Sequence, residues 1–221
     1  MKTVIFDLDG TLADTSADLI ASANACFRGL GYGDVLDPLG DAHTAFRGGK
    51  AMLSLGFSRV RPGFTEEDVM AQYPVLLEAY AQDIDTHTRL YEGAAEAVEA
   101  LRGAGYAVGV CTNKPEDLAD RLLTRLGVRD LFGSMIGAKT VGVSKPDPKP
   151  YLAAVEEAGG ILAQSFLVGD TETDRNTARA AGVPCALVTF GPDGDGVAGL
   201  VPEALLSHYN ELMQITKELI G

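Results

Sequence analysis

Residues 4–14 read Val-Ile-Phe-Asp-Leu-Asp-Gly-Thr-Leu-Ala-Asp, a short apolar run that ends in two carboxylates and a glycine. The run predicts a strand, and residues i and i+2 of a strand share a face. Asp7 and Asp9 therefore leave its carboxyl end pointing the same way, with Gly10 freeing the backbone for a sharp turn. Like charges about 4 Å apart repel by roughly 1–4 kcal/mol at effective dielectrics of 80 to 20. A cost of that size asks for a neutralising cation and points to a bound hard metal with phosphate chemistry beside it.

Working outward, apolar residues at Leu19, Ile20, Ala23, Phe27 and Leu30 predict a helix stopped by Gly31 and Gly33. A short helix is expected around Lys50 to Leu55. Thr65 and Asp68 form a capping-box signature ahead of Val69, Met70, Tyr73, Leu76, Leu77 and Tyr80, with Pro74 expected to kink or restart that helix. From Tyr91 onward, helices alternate with strands at 106–111, 134–137, 165–168 and 184–190. That alternation predicts a parallel sheet covered on both faces. The fold class is thus α/β, a Rossmann-like parallel sheet flanked by helices, with an all-helical insert after the first strand. The expected domains are 1–14 with 84–221 for the core and 15–83 for the cap. Residues 191–221 are expected to form a Gly/Asp-rich loop and then one amphipathic helix carrying Leu205, Leu206, Tyr209, Leu212 and Met213, with no further strand.

The chain has 221 residues, 46% hydrophobic and 22% charged, as in an ordinary soluble globular protein. Its formal charge of −13 argues against a nucleic-acid partner, which a basic stripe would serve. No apolar run approaches the ~20 residues of a membrane span, and the N-terminus already reads as a strand rather than a leader. Cys26, Cys111 and Cys185 lie far apart with no CxxC pair, so reduced thiols and a cytoplasmic location are expected. The predicted partner is a small phosphorylated metabolite; nothing chooses between monomer and homodimer.

Ligands of open parallel sheets bind outside the carboxyl ends of the strands, and the polar residues of interest fall at such ends. Asp7 and Asp9 follow the first strand, Thr112 and Asn113 the next, Lys145 the one near Met135, and Asp170 with Asp174 the run 166–168. Each alone has an ordinary role as turn former, cap or surface charge. Their coincidence is the signal.

Asp7-Leu-Asp-Gly-Thr-Leu-Ala-Asp14, Thr112-Asn113, Lys145-Pro-Asp147 and Gly169-Asp-Thr-Glu-Thr-Asp174 resemble, in order, the four motifs of the haloacid dehalogenase superfamily. Cys-Thr-Asn-Lys-Pro-Glu at 111–116 and Ser-Lys-Pro-Asp-Pro at 144–148 are similar to its phosphoglycolate phosphatase branch. The resemblance implies a phosphatase in which Asp7 is the nucleophile and forms an aspartyl phosphate. Asp9 would serve as acid and then base. Asp7, the backbone carbonyl of Asp9 and Asp170 would hold Mg²⁺. Asp174 would complete that metal site by orienting bound water or Lys145. Thr112, Asn113 and Lys145 would grip the phosphoryl oxygens. In the insert, Arg47 within His43-Thr-Ala-Phe-Arg-Gly-Gly-Lys50 is the candidate reader of a substrate carboxylate, with 2-phosphoglycolate the leading substrate. Hinge closure between cap and core is expected.

Two alternatives stay open here. One is a phosphosugar mutase of the β-phosphoglucomutase type, which shares the roles of Asp7 and Asp9; the other is a phospho-accepting receiver module, against which the helical insert argues. Dehalogenation would leave Asp9 and the metal acids without a task. Gly194-Asp-Gly-Val-Ala-Gly199 matches GxGxxG only as text, in a trailing loop. Gly49-Lys50 is followed by Ala51, which breaks the P-loop pattern. His43, His87 and His208 show no metal spacing, and Cys111 reads as packing.

Overall fold

The apolar run Thr3–Phe6 becomes the middle of a sheet, and that position follows from its lack of any polar face: Val4, Ile5 and Phe6 are completely buried. The computed structural model describes all 221 residues. The chain runs β1 (Thr3–Phe6), β2 (Ala13–Asp14), α1 (Ser16–Gly29), α2 (Ala42–Ala45), α3 (Gly49–Val60), α4 (Glu66–Gln82) and β3 (Arg89–Leu90). It continues with α5 (Ala94–Gly103), β4 (Ala107–Cys111), α6 (Glu116–Arg125), β5 (Ser134–Ile136), α7 (Lys149–Glu157) and β6 (Ser165–Gly169). Last come α8 (Glu172–Ala181), β7 (Cys185–Val188), β8 (Ala204–Leu206) and α9 (Leu212–Ile220).

Two units emerge, Met1–Ala13 with Leu90–Gly221, and Asp14–Arg89. In the first, the six strands lie in the order β5-β4-β1-β6-β7-β8, and every neighbouring pair is parallel. Register aligns Val4 with Val108 on one side and with Phe166 on the other. From β1 the chain builds outward to β5 on one side and then crosses to β6 on the other. The strand order therefore reverses at β1, and ligands of open parallel sheets bind outside the carboxyl ends of the strands at such a reversal. Ile5, Cys111, Tyr151, Leu167 and Cys185 pack together as core beneath that end. All three cysteines are buried free thiols, and burial pushes the Cys111 thiol up to about 12.

The second unit holds α1 to α4. Thr65 and Asp68 form the expected capping box, and α4 runs through Pro74 without dividing there. The helix expected near 50–55 extends over Gly49–Val60. The return to the α/β unit falls at Arg89–Leu90 rather than 83. Main-chain hydrogen bonds from His87 and Thr88 to Asp18 tie that extra stretch to α1.

The C-terminal expectation needs correction. Leu205 and Leu206 are not helical but lie in β8, which pairs parallel with β7, and α9 begins only at Leu212. Glu203, just before β8, is clamped by both terminal nitrogens of Arg175 and accepts from the Cys185 N–H, which lays this short segment along β7. The GxGxxG text at 194–199 forms a 3₁₀ helix.

Candidate active site

Three central strands deliver the site. The Asp7 N–H donates to the Val168 carbonyl (2.9 Å), so the ladder of β1 continues one residue past the strand and aims the Asp7 side chain out of its end. Gly10 takes φ +79°, a conformation costly for any other residue, and turns the chain so that the Leu12 and Ala13 N–H groups reach the Leu8 carbonyl. Beyond β4, the Thr112 N–H donates to Ile136 (2.9 Å), and the Thr112 hydroxyl accepts from the Lys114 N–H (3.2 Å). Beyond β6, a side chain on Gly169 would collide with Asp174, its Cβ lying 2.4 Å from that carboxylate carbon. Asp174 fits there and caps α8: its Oδ2 accepts from the Thr171 N–H and hydroxyl and from the Asp170 N–H.

Lys145 is the hub. Its Nζ donates to Asp174 Oδ1 at 2.6 Å and lies 3.1 Å from Asp7 Oδ2, with the side chain only 1% exposed. Asn113 Nδ2 donates to the Lys145 carbonyl (3.0 Å) and holds that loop, so the asparagine side chain serves the lysine. Asp174 commits both oxygens, to Lys145 and to the helix cap. Asp170 is different: Oδ1 accepts from the Thr11 hydroxyl (2.9 Å), while Oδ2 is buried with no partner.

Ligand oxygens of Asp7, Asp170 and Asp174 lie within 4.8 Å of one another. Burial raises Asp7 to about 6 despite the opposing pull of Lys145, with the Asp174 and Asp9 charges pushing the same way as burial. Burial lifts Asp170 well above the carboxylate range, again with Asp174 and Asp7 adding to it. Burial by itself would lower Lys145, but Asp174 and Asp7 outweigh it and hold the ammonium above its ordinary value. The lysine thus leaves the carboxylates under-compensated. An all-oxygen donor set with an orphaned buried oxygen fits a hard divalent cation such as Mg²⁺.

One ion pair here was invisible in the sequence. Lys114 Nζ donates to both oxygens of Asp9, at 2.7 and 3.0 Å, with the lysine side chain 3% and the aspartate 19% exposed. Lys114 stands two residues after Thr112, in a stretch already conspicuous, and its place there was the available signal. Thr11, inside the first motif, was likewise missed. Arg47 sits in the other unit, exposed at the turn before α3, with its N–H on the Thr44 carbonyl.

The fold and this cluster of strand-end acids and lysines define a hydrolase class, and the comparisons agree. The model of the family "Haloacid dehalogenase-like hydrolase" matches residues 4–188, and the chain belongs to that family. Within it, the chain is 35% identical over 209 residues to a phosphoglycolate phosphatase of Agrobacterium fabrum, spanning 94% of this chain and 89% of that one. It is 32% identical over 218 residues to a phosphoglycolate phosphatase of Mesorhizobium japonicum, spanning 98% and 96%. Among solved structures, one described as a predicted phosphoglycolate phosphatase from Haemophilus somnus 129PT superposes with TM-score 0.85 at 25% identity over 98% of both chains. A haloacid dehalogenase-like family protein of Streptococcus pneumoniae (TM-score 0.81, 18% identity, 97% and 98% covered) shares the fold.

Proposed function

We propose that this chain is a Mg²⁺-dependent phosphatase that hydrolyses a small phosphomonoester, 2-phosphoglycolate first among them, through an aspartyl phosphate on Asp7. The observation that carries the reading is the buried Asp7–Lys145–Asp174 chain beside the half-satisfied Asp170. It combines a carboxylate nucleophile, a fixed ammonium and an open oxygen donor at one strand-order reversal.

Asp7, Asp170 and the Asp9 main-chain carbonyl would hold the ion, and its part is to neutralise charge on the phosphoryl oxygens and the acids around them. An Asp7 oxygen attacks phosphorus and the ester P–O bond breaks; the leaving alkoxide takes a proton from Asp9. Water then attacks phosphorus, Asp9 takes the proton back, and Asp7 and inorganic phosphate are released. Lys145, pinned by Asp174, would offer positive charge to the phosphoryl oxygens, with the Thr112 hydroxyl and the Asn113 N–H, in the turn after β4, as the further donors of this reading. In this geometry both Asp9 oxygens accept from Lys114, so Asp9 meets an alkoxide only after turning away from it. The released ammonium then suits a second anion on the substrate, such as the carboxylate of 2-phosphoglycolate. Arg47 remains the candidate reader of that carboxylate from the insert. Buried thiols fit a reducing compartment, and the proposed location is the cytoplasm; no helix is long and apolar enough to cross a membrane.

The test is phosphate release from a panel of phosphomonoesters with Mg²⁺, with and without EDTA, with Asp7→Asn as control. Release that needs Mg²⁺, is greatest with 2-phosphoglycolate and vanishes in Asp7→Asn is expected. Release indifferent to that substitution overturns the nucleophile, and unchanged release in EDTA overturns the metal. A KM for 2-phosphoglycolate unchanged in Arg47→Ala removes Arg47 from the reading.

A further inference from the structure

The C-terminal segment reaches the first motif across the whole length of the chain. The Tyr209 hydroxyl donates to the Thr11 carbonyl at 2.7 Å, a buried bond between residues 198 positions apart. The Thr11 hydroxyl donates in turn to Asp170 Oδ1 at 2.9 Å. Tyr209 is 1% exposed, Thr11 0% and Asp170 1%. The Tyr209 ring packs on Phe190 (centroids 5.4 Å apart), which packs on Tyr91 (4.9 Å), and the Tyr91 N–H donates to the Leu12 carbonyl at 3.0 Å. The same turn is therefore gripped at two successive carbonyls from one aromatic cluster. Nothing about docking an amphipathic helix requires a tyrosine hydroxyl at this point; phenylalanine would fill the space.

We propose that Tyr209 is a positioning residue for the metal site: by fixing the Thr11 peptide it fixes the Thr11 hydroxyl on Asp170 Oδ1 and so leaves Oδ2 as the oxygen offered to Mg²⁺. The proposal rests on the reading of Asp170 as a metal ligand. Partners that orient a ligating carboxylate matter because a carboxylate free to rotate must be ordered at the moment the ion binds; losing such a partner costs about 10–100-fold in metal affinity or activity. Tyr209 acts one bond further out than Thr11, so its effect is smaller.

The experiment is calorimetric titration of Mg²⁺ into the metal-free full chain, without substrate, alongside Tm in EDTA. Thr11→Val is expected to weaken Mg²⁺ binding about 10–100-fold, and Tyr209→Phe about three- to tenfold, as the outer member of the same relay. Thr11→Ser, which keeps the hydroxyl, should bind close to wild type. Tyr151→Phe is the control, since it loses a comparable buried bond, to Ser165 Oγ at 2.7 Å, away from the acids. It should lower Tm in EDTA and leave the Mg²⁺ Kd unchanged. A Tyr209→Phe protein with wild-type Mg²⁺ Kd, whatever its Tm, overturns the proposal. If Tyr209→Phe does not fold, the Thr11 pair decides, and equal Kd values for Thr11→Val and Thr11→Ser overturn the relay. Wild-type protein that binds no Mg²⁺, or Asp170→Asn that binds it as wild type does, overturns the metal reading itself and the relay with it.

Discussion

Among the aspartates that the two units bury, Asp18 of the helical unit and Asp170 of the α/β unit are treated in opposite ways. In the helical unit, Asp18 is 2% exposed, and both oxygens are served: the His87 N–H reaches Oδ1 and Oδ2 at 3.0 Å, and the Thr88 N–H and hydroxyl reach Oδ2 at 2.8 Å. In the α/β unit, Asp170 is 1% exposed, one oxygen has the Thr11 hydroxyl, and the other has nothing. A buried charge is expensive unless its lone pairs are filled. Asp18, which ties chain segments together, is saturated by protein donors, whereas Asp170, the proposed cation ligand, is left short.

The largest effect expected from this difference concerns Asp170→Asn, which keeps the shape and removes the charge. Phosphatase activity should fall at least about 10²–10³-fold, the scale of losing one charge-stabilising group at a reacting centre. The metal-free protein should nevertheless melt no lower than wild type, because an under-served buried charge has been taken away. A large drop in its Tm in EDTA would show that Asp170 is structural after all.

Asp18→Asn should do the reverse. An amide NH₂ faces donors from His87 and Thr88, leaving buried groups unpaired at about 1–3 kcal/mol each. Urea unfolding should register a loss of about 2–4 kcal/mol, with the Mg²⁺ affinity of the α/β unit intact. Equal and parallel losses in Asp18→Asn and Asp170→Asn would erase the distinction.

What the sequence discloses of this pattern is uneven, for physical reasons. Strands such as Thr3–Phe6 and Ser165–Gly169 are short apolar runs with turn signals at their ends, and buried parallel strands have no other signature. β8 escaped because Ala-Leu-Leu over three residues has no readable period, and what makes it a strand is the pairing with β7 and the Arg175 clamp on Glu203. Asp7, Thr112, Lys145 and Asp170 were legible because strand ends collect ligand groups. Which cation serves which acid was legible only in part: the resemblance offered Lys145 to Asp174 as one alternative, whereas only the fold brings Lys145 to Asp7 and Lys114 to Asp9. Tyr209 and Thr11 meet across 198 positions, a distance no local pattern spans.

Asp9 differs from both, since a side-chain ammonium, that of Lys114, reaches both its oxygens. A movable partner suits a group that must change partners during a reaction. Lys114→Met is expected to leave Mg²⁺-induced stabilisation unchanged and to lower kcat/KM for 2-phosphoglycolate about tenfold, the loss of one charge-assisted contact. For p-nitrophenyl phosphate, which has no second anion, the loss should be smaller. Equal losses on both substrates would confine Lys114 to Asp9 alone.

The smallest effect is one of pH. Asp7 is raised to about 6 and Asp170 well above its ordinary range, both by burial first, while in the unfolded chain each titrates near 3.9. Between about pH 4 and 6 the folded, metal-free protein thus holds protons that the unfolded chain has released. Stability falls wherever the native state binds more protons than the unfolded state, so Tm in EDTA should decline as pH rises through that window. Mg²⁺ binds the ionised carboxylates and displaces those protons, so its stabilisation should be slight at pH 5 and grow towards pH 7. For a chain of this size each kcal/mol moves Tm by about 2–4 °C, within reach of a thermal-shift series. In Asp170→Asn one titrating group is gone and the EDTA slope should flatten, whereas in Asp18→Asn it should persist on a lowered curve. Parallel Tm–pH curves with and without Mg²⁺ would mean that the under-served carboxylates are not where the ion binds.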